Sequence, residues 1–242
     1  PGAYFASHQF KRPLIMVTAS HNPPKHNGFY LCRANAEAIY EKNGIKQIEK
    51  MMIANKIKIS RKRGKIMNKE IWKDYVKHIL SFANIDKINR LNVVVDAGNG
   101  VGSIIARKIF KEIPQIKVIP LYFESDGSFP NRAPDTSIEK NLRKLGKKVV
   151  QVKADFGIAF DGDADRVAFV DERGKVLEGS LIGAFLAQSI LQNTRKKEKV
   201  IYTIGCSKVV PEIIEENNAT PIREKVGHSF VNAHMINQKA LF

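Results

Sequence analysis

From Leu14 onward, two kinds of apolar pattern alternate along the chain. Short runs rich in Val, Ile and Phe are bounded by Gly, Pro, Asn and Asp and predict strands. These are "LIMV" (14–17), "GFYLCRA" (28–34), "LNVVVD" (91–96), "IKVIPLYF" (116–123), "FGIAF" (156–160), "VAFV" (167–170), "KVIYTIG" (199–205) and "TPIREKV" (220–226). Longer segments carry apolar residues at helical spacing and predict helices. They are "GIKQIEKMMIANK" (44–56), "EIWKDYVKHILSFA" (70–83), the stretch after "DAGNGVG" up to Ile113, "SIEKNLRKLGKKVVQ" (137–151), "SLIGAFLAQSILQNT" (180–194), "SKVVPEIIEENN" (207–218) and "HSFVNAHMINQKA" (228–240). Strands that alternate with helices argue for tandem layered α/β domains with mixed sheets. The basic stretch "SRKRGKIMN" (60–68) reads as a linker, and fresh strand–helix units start near Leu91 and Ser180.

Composition narrows this picture. The chain has 242 residues, 43% of them hydrophobic, which fits a globular protein with room for more than one core. Forty Lys and Arg against 24 Asp and Glu give a formal charge of +16. Such a field favours anionic partners. The basic residues are spread, however, and the densest groups, "RKRGK" (61–65) and "RKKEK" (195–199), read as solvated connectors. With no zinc spacing, RNA-binding signature or aromatic-laced basic stripe, the sequence argues against a nucleic-acid partner. No apolar run is long enough to span a bilayer, so a membrane is not expected either. Cys32 and Cys206 lie far apart with no CxxC spacing, which fits a reducing, cytoplasmic location. The chain begins at Pro1 and stops at Phe242, which reads as incomplete at both ends.

Two loops carry the chemistry. "TASHNPPKHNG" (18–28) follows a strand and crowds Ser20, His21, two prolines and a glycine into one connection. Pro23 and Pro24 would stiffen it, and Gly28 would permit its exit turn. "DGDADR" (161–166) places Asp161, Asp163 and Asp165 at alternate positions between two apolar strands. Carboxylates this close repel unless a cation neutralises them, and oxygen ligands suit Mg²⁺. The spacing matches the start of a calcium EF-hand, but Arg166 stands where that loop needs glycine, and a strand follows. "DAGNGVG" (96–102) lacks the GxGxxG spacing and reads as a tight strand-to-helix turn.

Together these segments resemble the α-D-phosphohexomutases, the phosphomannomutase/phosphoglucomutase family. "TASHNPPKHNG" resembles the family's phosphoserine loop and "DGDADR" its metal loop. "EKVGHS" (224–229) is similar to a segment of the third domain, and "PNRAPDT" (130–136) adds context. The resemblance implies four domains, of which this chain would carry the latter part of domain I (1–66), domain II (67–175) and the first part of domain III (176–242). It implies that phosphorylated Ser20 exchanges its phosphoryl group with mannose or glucose 1- and 6-phosphates through a hexose 1,6-bisphosphate. Asp161, Asp163 and Asp165, with Ser20, would hold Mg²⁺. Arg166 would orient charged groups, His21 would shape the serine loop, and Lys225 and His228 would meet the substrate or assist proton transfer. His26, His78 and His234 are expected to be structural. One position departs from the pattern: the family has a lysine two residues after "NG", and here stands Tyr30. A tyrosine supplies no fixed positive charge, although Lys25 offers one in the same loop. The alternative is therefore a remnant that binds Mg²⁺ without turnover.

Overall fold

The computed structural model describes residues 1–56, 59–61, 63–194 and 196–242. Lys62 and Arg195, which belong to the two basic connectors, lie outside the described residues. The chain opens with α1 (Gly2–Phe10), a helix that the sequence pattern did not predict. Its only fully buried side chain is Ser7, so it has little apolar periodicity to reveal it. Instead Ser7 fastens it: the hydroxyl donates to the Arg12 carbonyl at 2.7 Å and accepts from the Ala36 N–H at 3.1 Å. Strands β1 (Leu14–Val17) and β2 (Phe29–Cys32) form an antiparallel pair, with Leu14 opposite Cys32 and Val17 opposite Phe29. The serine loop is thus the connection of a hairpin, closed by the Thr18 N–H on the Gly28 carbonyl at 3.0 Å. Helices α2 (Ile45–Ile53) and α3 (Trp72–Leu80) follow and are shorter than the periodicity predicts.

The central unit is built around β3 (Leu91–Asp96), followed by α4 (Gly102–Lys111), β4 (Ile116–Leu121), α5 (Glu139–Val152), β5 (Phe156–Phe160) and β6 (Val167–Val170). The strand order is β4-β3-β5-β6, parallel except for the last pair. Val93, Val94 and Val95 are all fully buried, because helices cover both faces of the sheet. Val94 packs with Leu142, Leu145 and Val149 of α5, while Val93 and Val95 pack with Ala106 of α4. β4 stops at Leu121 rather than Phe123, since Tyr122 turns to a left-handed φ of 54°. Pro120 is tolerated because β4 is an edge strand.

The last unit has α6 (Gly179–Leu191), β7 (Lys199–Thr203), α7 (Val209–Glu216), β8 (Thr220–Glu224) and α8 (His228–Gln238). β7 and β8 are parallel, and α6 and α7 bury Ala187, Leu191, Val210 and Ile214 against them. Residues 241 and 242 run beside β7, exchanging backbone hydrogen bonds with Lys199 and Ile201. Among the described residues no helix is long and apolar enough to cross a membrane.

Candidate active site

The acidic loop turns between the antiparallel strands β5 and β6, so the three aspartates emerge from the end of a buried sheet. Asp161 has no exposed surface, and its Oδ1 accepts the backbone N–H groups of Asp165 and Arg166, both at 3.1 Å. Its Oδ2 is buried and accepts no hydrogen bond. Asp163 repeats the arrangement. Its Oδ2 accepts the Thr18 hydroxyl at 2.6 Å, and its buried Oδ1 is left without a partner. With Asp165, the ligand oxygens lie within 4.8 Å of one another. Burial, with Asp163 and Asp165 adding to it against the opposing backbone N–H of Arg166, pushes the Asp161 carboxyl up to about 7. One carboxylate oxygen from each of three aspartates at this spacing, with two of the group's oxygens buried and unpartnered, fits a hard divalent cation such as Mg²⁺.

The foundation of the loop is a buried ion pair. Arg132 Nε donates to Asp96 Oδ2 at 2.9 Å, and both side chains are essentially sealed from solvent. Arg132 Nη2 also donates to the Phe160 carbonyl at 2.6 Å, one residue before Asp161. The "DAGNGVG" turn is shaped around this guanidinium. Gly98 adopts φ +53°, and a β-carbon there would stand 2.5 Å from the Arg132 Cζ. The turn is a structural buttress, as its spacing predicts, and it also anchors the end of β5. Arg132 and Asp96 were legible only as parts of "PNRAPDT" and "DAGNGVG", with nothing local to mark them as partners.

The serine loop lies against the acidic loop. A β-carbon on Gly162 would fall 2.5 Å from the Ser20 carbonyl oxygen, so only glycine permits this approach. Ser20 itself has φ +53°, and its N–H donates to Thr18 Oγ1 at 2.8 Å. His21 Nδ1 lies 3.2 Å from Ser20 Oγ. The two loops border a cavity of about 530 Å³ that is also lined by the apolar side chains of Met16, Trp72, Tyr75 and Phe129.

The remaining candidates are distributed around this junction. Arg166 Nε stands 4.0 Å from Asp161 Oδ2 and 3.9 Å from Asp165 Oδ1, with its side chain half exposed. His228, the first residue of α8, stacks on Tyr4 of α1 with ring centroids 5.3 Å apart and planes 20° from parallel. The Tyr4 phenol is raised by burial and then by Cys32, Tyr30, Asp165 and Asp163, so it sits in the field of the acidic loop. Tyr30 lies in the same field: burial, then Asp165 and Asp163, raise its phenol while Arg166 opposes them. Lys225 goes elsewhere. Its ammonium lies 3.5 Å from the centroid of the Phe230 ring, and among the described residues it makes no ion pair with the three aspartates. The histidines read as structural are engaged by neighbouring groups: His78 lies between the tilted ring of Phe5 and the edge-on ring of Phe82, His234 Nδ1 lies 2.8 Å from Glu224 Oε2, and His26 Nδ1 is 3.3 Å from the Pro23 carbonyl.

Comparison with known proteins bears on the whole chain. Residues 1–59, 73–174 and 178–242 match the family models of the alpha/beta/alpha domains I, II and III of phosphoglucomutase/phosphomannomutase. The chain belongs to the α-D-phosphohexomutase superfamily. This phosphohexomutase chain is 36% identical over 223 residues to a phosphoglucomutase of Neisseria meningitidis, covering 90% of this chain and 46% of that protein. It is 30% identical over 232 residues to a phosphomannomutase of Vibrio cholerae, covering 94% of this chain and 50% of that protein. A crystal structure of a phosphoglucomutase/phosphomannomutase family protein from Burkholderia thailandensis superposes with a TM-score of 0.86 at 29% identity, over 99% of this chain and 53% of that one. The chain therefore spans about half the length of the relatives it matches.

Proposed function

We propose that this chain carries the phosphoserine and metal loops of an Mg²⁺-dependent phosphomannomutase/phosphoglucomutase that interconverts hexose 1- and 6-phosphates. The observation that carries the reading is the junction of the two loops, where Thr18 bonds Asp163 and the Ser20 backbone rests on Gly162. Asp161 and Asp163 would offer Oδ2 and Oδ1, and Asp165 a carboxylate oxygen, to the ion. When bound, Mg²⁺ supplies positive charge beside the phosphoryl oxygens.

The residues of the chain would act as follows. In one half-reaction the Ser20 Oγ–P bond breaks as a P–O bond forms to a hexose phosphate hydroxyl, which loses its proton. In the other half, Ser20 Oγ takes the second phosphoryl group of the hexose 1,6-bisphosphate and the freed sugar oxygen takes a proton. His21, whose Nδ1 lies 3.2 Å from Ser20 Oγ, would shape the serine loop and would give Ser20 Oγ a proton as it leaves phosphorus and take one as it attacks. Arg166, 4.0 Å from Asp161 and 3.9 Å from Asp165, would orient charged groups beside the ion, and His228, stacked on Tyr4, would meet the substrate or assist proton transfer.

A second reading, a chain that binds Mg²⁺ without turnover, is favoured by Tyr30 at the expected lysine position and by Lys225 turned onto Phe230. One experiment separates the two. After incubation with glucose or mannose 1,6-bisphosphate, mass spectrometry of the digested chain should find phosphate on Ser20. In a coupled assay on glucose or mannose 1-phosphate, turnover that Ser20→Ala abolishes is expected on the first reading and turnover at background on the second, since positioning supplies much of the rate in phosphoryl transfer. Phosphate on another residue with Ser20 unmodified would sink the assignment, and robust turnover lost in Ser20→Ala would remove the second reading.

A further inference from the structure

Thr18 stands at the point where the serine loop meets the acidic loop, and no role for it follows from the motif alone. Its hydroxyl makes two hydrogen bonds whose directions are fixed by chemistry. A backbone N–H can only donate, so Thr18 Oγ1 accepts from Ser20 at 2.8 Å. An ionised carboxylate can only accept, so the same hydroxyl donates to Asp163 Oδ2 at 2.6 Å. The result is a chain of hydrogen bonds from the Ser20 amide through Thr18 to Asp163, and each bond polarises the next.

We propose that Thr18 is a positioning residue that couples the serine to the metal loop: it holds the Ser20 amide and commits Asp163 to present Oδ1. Two consequences follow. At Ser20, a left-handed backbone (φ +53°) is uncommon outside glycine, and the Thr18 bond fixes the amide of that conformation. At Asp163, one oxygen is occupied by Thr18 and the other is buried and unpartnered, which matches Asp161, whose Oδ1 is held by two backbone N–H groups. Each of these aspartates therefore offers a single oxygen to the cluster. Any shift of Asp163 is felt at the Ser20 amide, and the reverse holds by linkage. The role for Asp163 rests on the metal reading above, whereas the hold on the Ser20 amide does not.

The test compares Thr18→Val, which keeps the shape but loses the hydroxyl, with Thr18→Ser, which keeps the hydroxyl. Thr18→Ala serves as a second hydroxyl deletion without apolar bulk beside Asp163. Amide hydrogen exchange at Ser20 is read by NMR on metal-free protein. Mg²⁺ affinity is read by calorimetry, alone and in an Asp163→Asn background. Exchange at Ser20 should quicken at least about tenfold in the Val and Ala variants and stay near wild type in Ser. Mg²⁺ binding should weaken about tenfold in Val and Ala, with no further loss when Asp163 is already Asn. Unchanged exchange in Thr18→Val and Thr18→Ala overturns the proposal, as does a Thr18→Ser variant that behaves like them. A wild-type chain that binds no Mg²⁺ overturns the metal reading and the commitment of Asp163, while the exchange comparison still decides the hold on Ser20.

Discussion

Replacing Arg132 with methionine should show what the buried ion pair contributes to the metal loop. The substitution keeps much of the side-chain volume but deletes the bonds to Asp96 Oδ2 (2.9 Å), Asp96 O (3.5 Å), Phe160 O (2.6 Å) and Ala133 O (3.1 Å). Asp96, with no exposed surface, is left with the Gly98 N–H at 2.7 Å as its remaining hydrogen bond. Removing one partner of a buried pair costs about 3–5 kcal/mol, because the other charge stays behind uncompensated. At about 2–4 °C per kcal/mol for a chain of this size, the melting temperature should fall by about 6–20 °C. The double variant Asp96→Asn/Arg132→Met removes the stranded charge and keeps an acceptor for Gly98, so it should recover at least half of the loss. The pH dependence follows from the same charge. Burial already raises the Asp96 carboxyl and Arg132 opposes it, so without Arg132 the folded state holds the proton to a higher pH. Folded protein then binds more protons than unfolded, and stability falls as pH rises. The deficit of Arg132→Met should therefore be smaller at pH 5 than at pH 8. Urea unfolding followed by the single tryptophan, Trp72, whose ring lies 5.5 Å from Lys108 of α4, reads the central unit directly. A single variant within about 1 kcal/mol of wild type, or a double variant no better than the single, would refute the reasoning.

Other consequences can be measured on the same protein. Mg²⁺ at a hundred times its Kd should stabilise the chain by about 2.7 kcal/mol, and Asp163→Asn should abolish most of that shift; a melting temperature indifferent to Mg²⁺ would discard the metal loop. With Asp161 raised to about 7 by burial, the metal-free folded state retains a proton that the unfolded carboxyl has lost. Its contribution to stability should therefore decline as pH rises from about 4 to about 7, and Asp161→Asn should flatten that slope in a melting series. Tyr30→Lys alone should not raise mutase turnover, because Lys225 remains turned onto Phe230; a large gain in the coupled assay would contradict this.

The pattern of apolar residues was sufficient to predict the strands and most helices of this protein. Those elements arise from short-range periodicity: the Val93–Val95 run reads as a strand covered on both faces, and it is one. The two loops stood out equally in the sequence, since clustered aspartates and a proline-stiffened serine loop are conspicuous by residue type. Helix α1 was not legible, because the contacts that hold it are distant in sequence: the Ala36 N–H on Ser7 Oγ, and Phe5 against Tyr75 and His78. The sequence alone could not tell which carboxylate oxygens are free, that Arg132 seats itself on Gly98, or that Lys225 lies over Phe230 of the following helix. Thr18 and Asp163 are 145 positions apart, and no local preference relates them. Only the packing of the hairpin against the end of β5 brings that hydroxyl to that carboxylate, and hydrogen-bond geometry then decides which oxygen is left unpartnered.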